Sequence, residues 1–394
     1  MKVALKTLTP IHVGNGDDYS YGDAYVDSQG ILHRCEIDYS KVNVQEIIDN
    51  MENSYYIQKI LREYGKDIYT AKCRANLSFT GTNIKEVANR RVREFIKDGT
   101  TPYIPGSSVK GAIRTILYAY YLHKRNFMVE TPLGERNFID LLRNGLKLLQ
   151  ISPLGRDRED RRDKYFGKRF EQLVFTYSSD PKNWRDAKYD IMKFVEISDF
   201  YPVKHNYNLY VDAIKTYSKG PRDIYPKPFT VYAETVEGEF QGAIRISPAI
   251  QKVLKSHEKG ILERKLDILG LKQNDLELSE EEITRKFLDY LKEATKYFYE
   301  LCMDHDYIET GLKHPENVKK CEFKLRVGFG VGTHYQTILK LLETSNQNIV
   351  KNIILQNRLT KYAKLYPQIP YPKTFEVIEY DGKKLPLGWM EVIY

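Results

Sequence analysis

Three short segments combine residue types that can hold an anion. The first is Thr9-Pro10-Ile11-His12-Val13-Gly14-Asn15-Gly16, where glycine main chain offers N–H groups with no Cβ in the way. Beside it, His12 can donate or accept a proton near neutral pH. The second is Pro105-Gly106-Ser107-Ser108-Val109-Lys110-Gly111-Ala112-Ile113-Arg114. It sets two hydroxyls at an expected helix N-terminus and two cations, Lys110 and Arg114, in the following turns. Free N–H groups and the positive dipole end make such a tip a phosphate seat. The third runs Arg326-Val327-Gly328-Phe329-Gly330-Val331-Gly332-Thr333-His334-Tyr335, a strand, a glycine loop and a helix start.

None of the three completes a nucleotide-hydrolysing or dinucleotide-binding motif. A P-loop needs its lysine after the second glycine, whereas Lys110 precedes Gly111. The dinucleotide fingerprint needs glycine where Thr333 stands. Cys35, Cys73, Cys302 and Cys321 have no C-x-x-C spacing, and the eight histidines form no H-E-x-x-H pair. The expectation is no metal site and no cofactor. Each segment also has a plain structural reading, as a glycine turn or a capped helix.

The elements that must position these segments alternate in type. Val3, Leu5 and Leu8 mark a first strand, followed by a glycine-rich loop at residues 14–18 and short strands near 24–26 and 31–37. Val44, Ile47, Ile48, Met51 and Tyr55 predict a helix over about 42–64. A helix starts at Ser107 or Ser108, either of which can cap it. Residues 229–246 alternate around Glu237-Gly238, which suggests a hairpin. Helices follow at about 250–269 and, from the capping box Ser279-x-x-Glu282, past Leu301. Strands at 322–327 and 374–379 close the pattern. Strand, helix and hairpin material in both halves predicts an α+β fold of two ferredoxin-like, RRM-like modules with helical insertions. The boundary is placed near 225, giving units 1–225 and 226–394, because 220–228 is the most linker-like stretch.

Composition bounds the function classes. The 394 residues are 42% hydrophobic, too apolar for a disordered chain, and 61 Lys+Arg against 53 Asp+Glu leave a net charge of +8. That balance suits a polyanionic partner. The 31 tyrosines add stacking surface. Arg90, Arg91 and Arg93 form a further basic cluster, read either as an arm toward a duplex or as a solvated helix; residues 156–162 form a mixed-charge block. With no long apolar run and few cysteines, a cytoplasmic protein without a membrane partner is expected.

In this order, the three segments resemble those of the CRISPR-associated RAMP superfamily. Pro372-Lys373-Thr374 and Pro386-Leu387-Gly388-Trp389 look like the ending of one branch, the terminal RAMP subunit of the type III-A Csm effector complex. Val195-Glu196-Ile197-Ser198-Asp199 is similar to a mid-chain element of that branch. The resemblance implies a non-catalytic subunit that caps one end of the complex, holds the 3′ part of the CRISPR RNA (crRNA) and aids its maturation. Its implied partners are crRNA, the target RNA duplex, the backbone RAMP subunit and other Csm subunits. The candidate RNA-binding residues are His12, Gly14, Asn15, Gly16, Ser107, Ser108, Lys110, Arg114, Gly328, Gly330, Gly332, Thr333 and His334, with no catalytic residue among them. The alternative within this superfamily is a metal-independent endoribonuclease that processes repeat RNA, with His12 or His334 as general base.

Overall fold

The computed structural model describes all residues except 82–83, 145–167, 349, 352–367, 370 and 381. The charged block at 156–162 therefore lies outside the described residues. Strand β1 (Lys2–Thr7) turns Val3 and Leu5 into the core at 1% and 0% exposure. Helix α1 (Gly106–Lys124) buries Val109, Ile113, Ile116 and Leu117, a stripe at helical spacing. Strands β2 (Tyr201–Lys219) and β3 (Ile224–Ile246) form a long antiparallel hairpin. Helix α2 (Glu280–Thr310) begins at the expected capping box: Ser279 Oγ accepts from Glu282 N, and Glu282 Oε2 accepts from Ser279 N. Strand β4 (Lys324–Arg326) and strand β5 (Trp389–Ile393) complete the core.

Across the sheet these strands lie in the order β4-β5-β1-β3-β2, continued by Gly65–Cys73, Ile31–Ile37 and Ala24–Val26. Val109, Ile113, Phe287, Leu291 and Phe298 from α1 and α2 share one core cluster with Val236, Phe240 and Ile244 of β3. The architecture is thus mixed α and β around one large sheet. Among the described residues no helix is long and apolar enough to cross a membrane.

The strand order interleaves the two halves of the chain. β1 lies between β3 and β5, both from beyond residue 225. Position 225 itself stands at the tip of the β2–β3 hairpin, whose strands pair from Lys219 with Ile224 to Tyr201 with Gln241. The proline-rich stretch that reads as a linker is therefore a hairpin end, and the chain does not part there.

Several local expectations also change. The glycine-rich residues after His12 form a strand, Gly14–Tyr19, because Val92–Phe95 offers it a ladder. Residues 42–64 hold two helices, Val44–Asp49 and Ser54–Tyr64, since Asn53 caps the second through its side chain. Glu237-Gly238 makes no hairpin; β3 runs through it opposite Asn208 and Tyr207. The helix expected over 250–269 is broken into short pieces at Gly260, where Ile261 N donates to Tyr177 O.

Candidate nucleic-acid interface

The chain's first motif, its third motif and its C-terminal strand meet just past the C-terminal end of β1. Phe329 N donates to His12 O at 2.8 Å, Gly388 N to Pro10 O at 2.9 Å, and Val327 N to Gly388 O at 2.9 Å. Trp389 N donates to Thr9 Oγ1 at 3.1 Å. Gly328 holds φ at +93°, and a Cβ there would sit 2.2 Å from His12 O. Its glycine identity thus serves the packing of the two motifs against each other.

His12 is an interior pin rather than a surface group. It is 2% exposed, and its Nδ1 lies 2.6 Å from Glu234 O, which fixes the ring proton on that nitrogen. Its ring meets Phe95 and Phe329 edge-on at 6.2 and 6.0 Å. Burial pushes its pKa down to about 4, aided by nearby Arg93 and Lys97. Below it, the fully buried Glu234 carboxylate accepts from Tyr19 OH at 3.0 Å, Tyr69 OH at 2.8 Å, Phe95 N at 2.9 Å and from the Lys97 ammonium.

The outer side of this junction carries the exposed groups. Gly14, Asn15 and Gly16 lie on the exposed run of their strand, and nothing stands within 4 Å of the Gly16 Cβ direction. Asn15 is occupied within its strand pair: Oδ1 accepts from Asp17 N at 2.9 Å and Nδ2 donates to Glu94 on the neighbouring strand at 3.4 Å. Across from it, the exposed Arg93 guanidinium stacks 4.6 Å from the Phe329 ring centroid. Gly330 is half-buried against Leu387 and Glu376, whereas the Gly332 Cβ direction is open. Thr333 opens the short helix Thr333–Gln336 and is half-buried. The surface therefore joins open main chain on both glycine segments to one cation–aromatic stack. Its neighbouring acid Asp18 is paired with Arg91 at 3.2 Å.

The helix tip is built differently from the expectation. The capping position is Pro105, not a serine, and Asp199 Oδ1 accepts from Gly106 N at 2.8 Å. Asp199 belongs to the Val195–Asp199 segment, so that element supplies the negative charge at this dipole end. A Cβ on Gly106 would approach Ile197 O and Ser198 O to 2.5 Å, which lets the two elements close. Ser107 stays exposed and Ser108 half-buried. Arg114 is committed inward: it pairs with Glu171, lies 2.7 Å from Asp190 and stacks on Phe175 at 4.1 Å. Lys110 has no hydrogen-bond or ion-pair partner among the described residues; burial lowers its pKa while Asp190 and Glu196 oppose that. At this tip Asp199 thus takes the Gly106 N–H and carboxylates engage Arg114, while Lys110 keeps no hydrogen-bond or ion-pair partner among the described residues.

His334 is 4% exposed and packs edge-on against His305, with 4.2 Å between ring centroids. Neither nitrogen of either ring has a partner among the described residues. Burial pushes the His334 pKa well below its usual value. Both imidazoles named as a possible general base are therefore interior groups. Among the described residues no cluster of three or more His, Cys, Asp and Glu is placed to hold a metal ion.

The sequence offers Arg93 only as one of a basic cluster, and it gives Phe329 and Asp199 no separate role. Arg93 sits on strand Val92–Phe95, so the cluster 90–93 is not a helix, and its fellows are occupied: Arg90 donates to Ser78 O at 2.6 Å, and Arg91 pairs with Asp18. Phe329 was visible as an aromatic inside the glycine loop, but only the fold puts Arg93 over it. Asp199 was visible in its motif without its role as a cap.

The sequence profile of the RAMP superfamily matches residues 4–333 of the chain. A Methanocaldococcus jannaschii protein described as CRISPR system Cms protein Csm5 is 24% identical over 429 residues, spanning 100% of this chain and 88% of its own length. A Streptococcus thermophilus protein of the same description is 32% identical over 133 residues, 29% of this chain and 37% of its own. One chain of the cryo-EM structure of a type III-A Csm–crRNA–target RNA ternary complex is similar in fold, with a TM-score of 0.66, 22% identity and 100% of both chains covered. The crystal structure of T. onnurineus Csm5 is similar with a TM-score of 0.57 and 21% identity, covering 99% of this chain and 100% of that one.

Proposed function

Because the chain belongs to the RAMP superfamily, we propose that it is a non-catalytic, crRNA-binding subunit of a type III-A Csm complex. In this reading it caps one end of the complex, holds the 3′ part of the crRNA and aids its maturation. It works in the cytoplasm beside a backbone RAMP subunit, other Csm subunits and the duplex of crRNA with target RNA. The similarity to proteins described as Csm5, and to a chain of a Csm–crRNA–target RNA complex, supports the assignment.

One observation carries the RNA reading: Arg93 stacked on Phe329 at the seam where the two glycine segments join. A ribose–phosphate strand lying along this seam meets open main chain at Gly16 and Gly332 and a guanidinium for its phosphates. The burial of His12 and His334 supports the non-catalytic reading. The test is to incubate the purified chain with 5′-labelled repeat-containing RNA in EDTA. Retention of uncut RNA, weakening as salt rises, is expected. Cleavage abolished by His12→Ala or His334→Ala would overturn the reading.

A further inference from the structure

Beyond the glycine loop, a cleft of about 640 Å³ opens between residues 310–316 and 382–385. Its walls include Leu312, Pro315 and Phe375, and its lysines are Lys313, Lys319, Lys383 and Lys384, of which Lys319 is paired with Glu316. The cleft adjoins a narrow crevice lined by Gly330, Gly332 and Thr333; Thr310, Leu312 and Phe375 line both. The surface that leaves the glycine loop therefore leads past Phe375 into the cleft.

The chemistry inside is that of a single-strand channel. Phe375 stacks on Tyr217 with ring centroids 5.6 Å apart and 19° between planes, and the Lys384 ammonium lies 3.8 Å from the centre of Tyr217. Lys313 and Lys383 are exposed and have no ion-pair partner among the described residues. The carboxylate lining the cleft among the described residues, Glu316, is taken by Lys319 at 2.9 Å. An apolar floor with an aromatic plane, beside two exposed lysines without an ion-pair partner among the described residues and a third over Tyr217, accepts unpaired bases below and phosphates above.

We propose that this cleft receives the continuation of the RNA strand past the glycine loop as unpaired nucleotides. One base lies on Phe375, and the phosphates lie at Lys313, Lys383 and Lys384. The proposal rests on the RNA-binding reading above, and it adds a second, separable segment of the binding site.

The experiment uses the full chain and a short RNA, compared with the same RNA extended by four nucleotides at its 5′ or its 3′ end. Extension at one end is expected to tighten binding to the wild type about tenfold, the scale of one stacked base with its phosphate contacts. The variant Lys313→Glu/Lys383→Glu/Lys384→Glu is expected to hold the short RNA as the wild type does and to gain nothing from either extension. A 5-iodouridine placed in the extension is expected to crosslink to the peptides carrying Phe375 or Tyr217, and Phe375→Ala should reduce that yield. Equal gains in wild type and variant, or no gain in either, overturn the cleft proposal while leaving the RNA-binding reading intact. A wild type that fails to hold even the short RNA overturns the reading beneath it. Lysine-dependent binding of a glutamate-rich peptide, with no effect of RNA extension, assigns the cleft to a protein partner and also overturns the proposal.

Discussion

The main-chain N–H of Phe329 donates to the carbonyl oxygen of His12 at 2.8 Å, tying the two glycine segments into one structural unit from opposite ends of the chain. Gly328 stands against the same carbonyl, and the His12 ring is anchored from behind by Glu234 O. A change that parts this seam acts on both segments at once.

The two loop glycines should therefore fail differently. Gly328→Ala drives a Cβ to 2.2 Å from a backbone oxygen at positive φ and is expected to cost at least about 3 kcal/mol. Gly332→Ala, also at positive φ but facing open space, should cost about 1–2 kcal/mol. Denaturant melts of the two variants check the order; equal losses would mean that the contact with His12 does not hold the loop.

Arg114 and Arg93 should separate stability from binding. Arg114→Met leaves Glu171 and Asp190 without their cation in a largely buried place and should cost about 2–3 kcal/mol. Its RNA affinity, measured below its melting range, should stay within about threefold of wild type. Arg93→Glu should leave the melt unchanged and weaken RNA binding by at least tenfold, about 1.4 kcal/mol. The reverse pattern would return the phosphate seat to the helix tip.

Asp199→Ala probes that tip directly. It strips the carboxylate from Gly106 N and the positive end of α1, with an expected loss of about 1–2 kcal/mol. RNA affinity should not rise. A clear gain would show that the helix terminus binds phosphate once the competing carboxylate is gone.

Stability should fall as pH drops from about 6.5 to about 4. His12 and His305 are held neutral by burial, with pKa values near 4, whereas the unfolded chain takes up their protons near 6.5. Over that window the unfolded state binds more protons, so acid favours it; below about 4 their contribution is flat. Each histidine accounts for on the order of 3 kcal/mol. Urea melts at pH 7 and 4.5 should show a smaller pH dependence in His12→Gln than in wild type. An unchanged dependence would mean that His12 titrates normally.

The sequence made the helices and strands legible where a single periodicity ruled. Val109, Ile113, Ile116 and Leu117 on α1, and the Ser279–Glu282 box of α2, lie in the structure where the pattern puts them. What stayed hidden depends on long-range pairing. The stretch at 14–18 carries no apolar alternation, and it becomes a strand because Val92–Phe95 lies beside it. The division near 225 followed local composition, while β1 pairs with strands from the other half. At the candidate site the glycine segments were readable as main-chain surfaces, yet His12 and His334 look identical in sequence whether they point outward or inward. Arg93 gained meaning only from Phe329, a residue with no sequence proximity to it.

Photo-crosslinking of 4-thiouridine RNA to the full chain, with the peptides identified by mass spectrometry, tests the central claim most directly. The account predicts crosslinks in peptides holding Gly14–Gly16, Arg93 and Phe329–Thr333, all lost in Arg93→Glu. Crosslinks confined to the α1 tip around Ser107 and Lys110, and unaffected by Arg93→Glu, would contradict it.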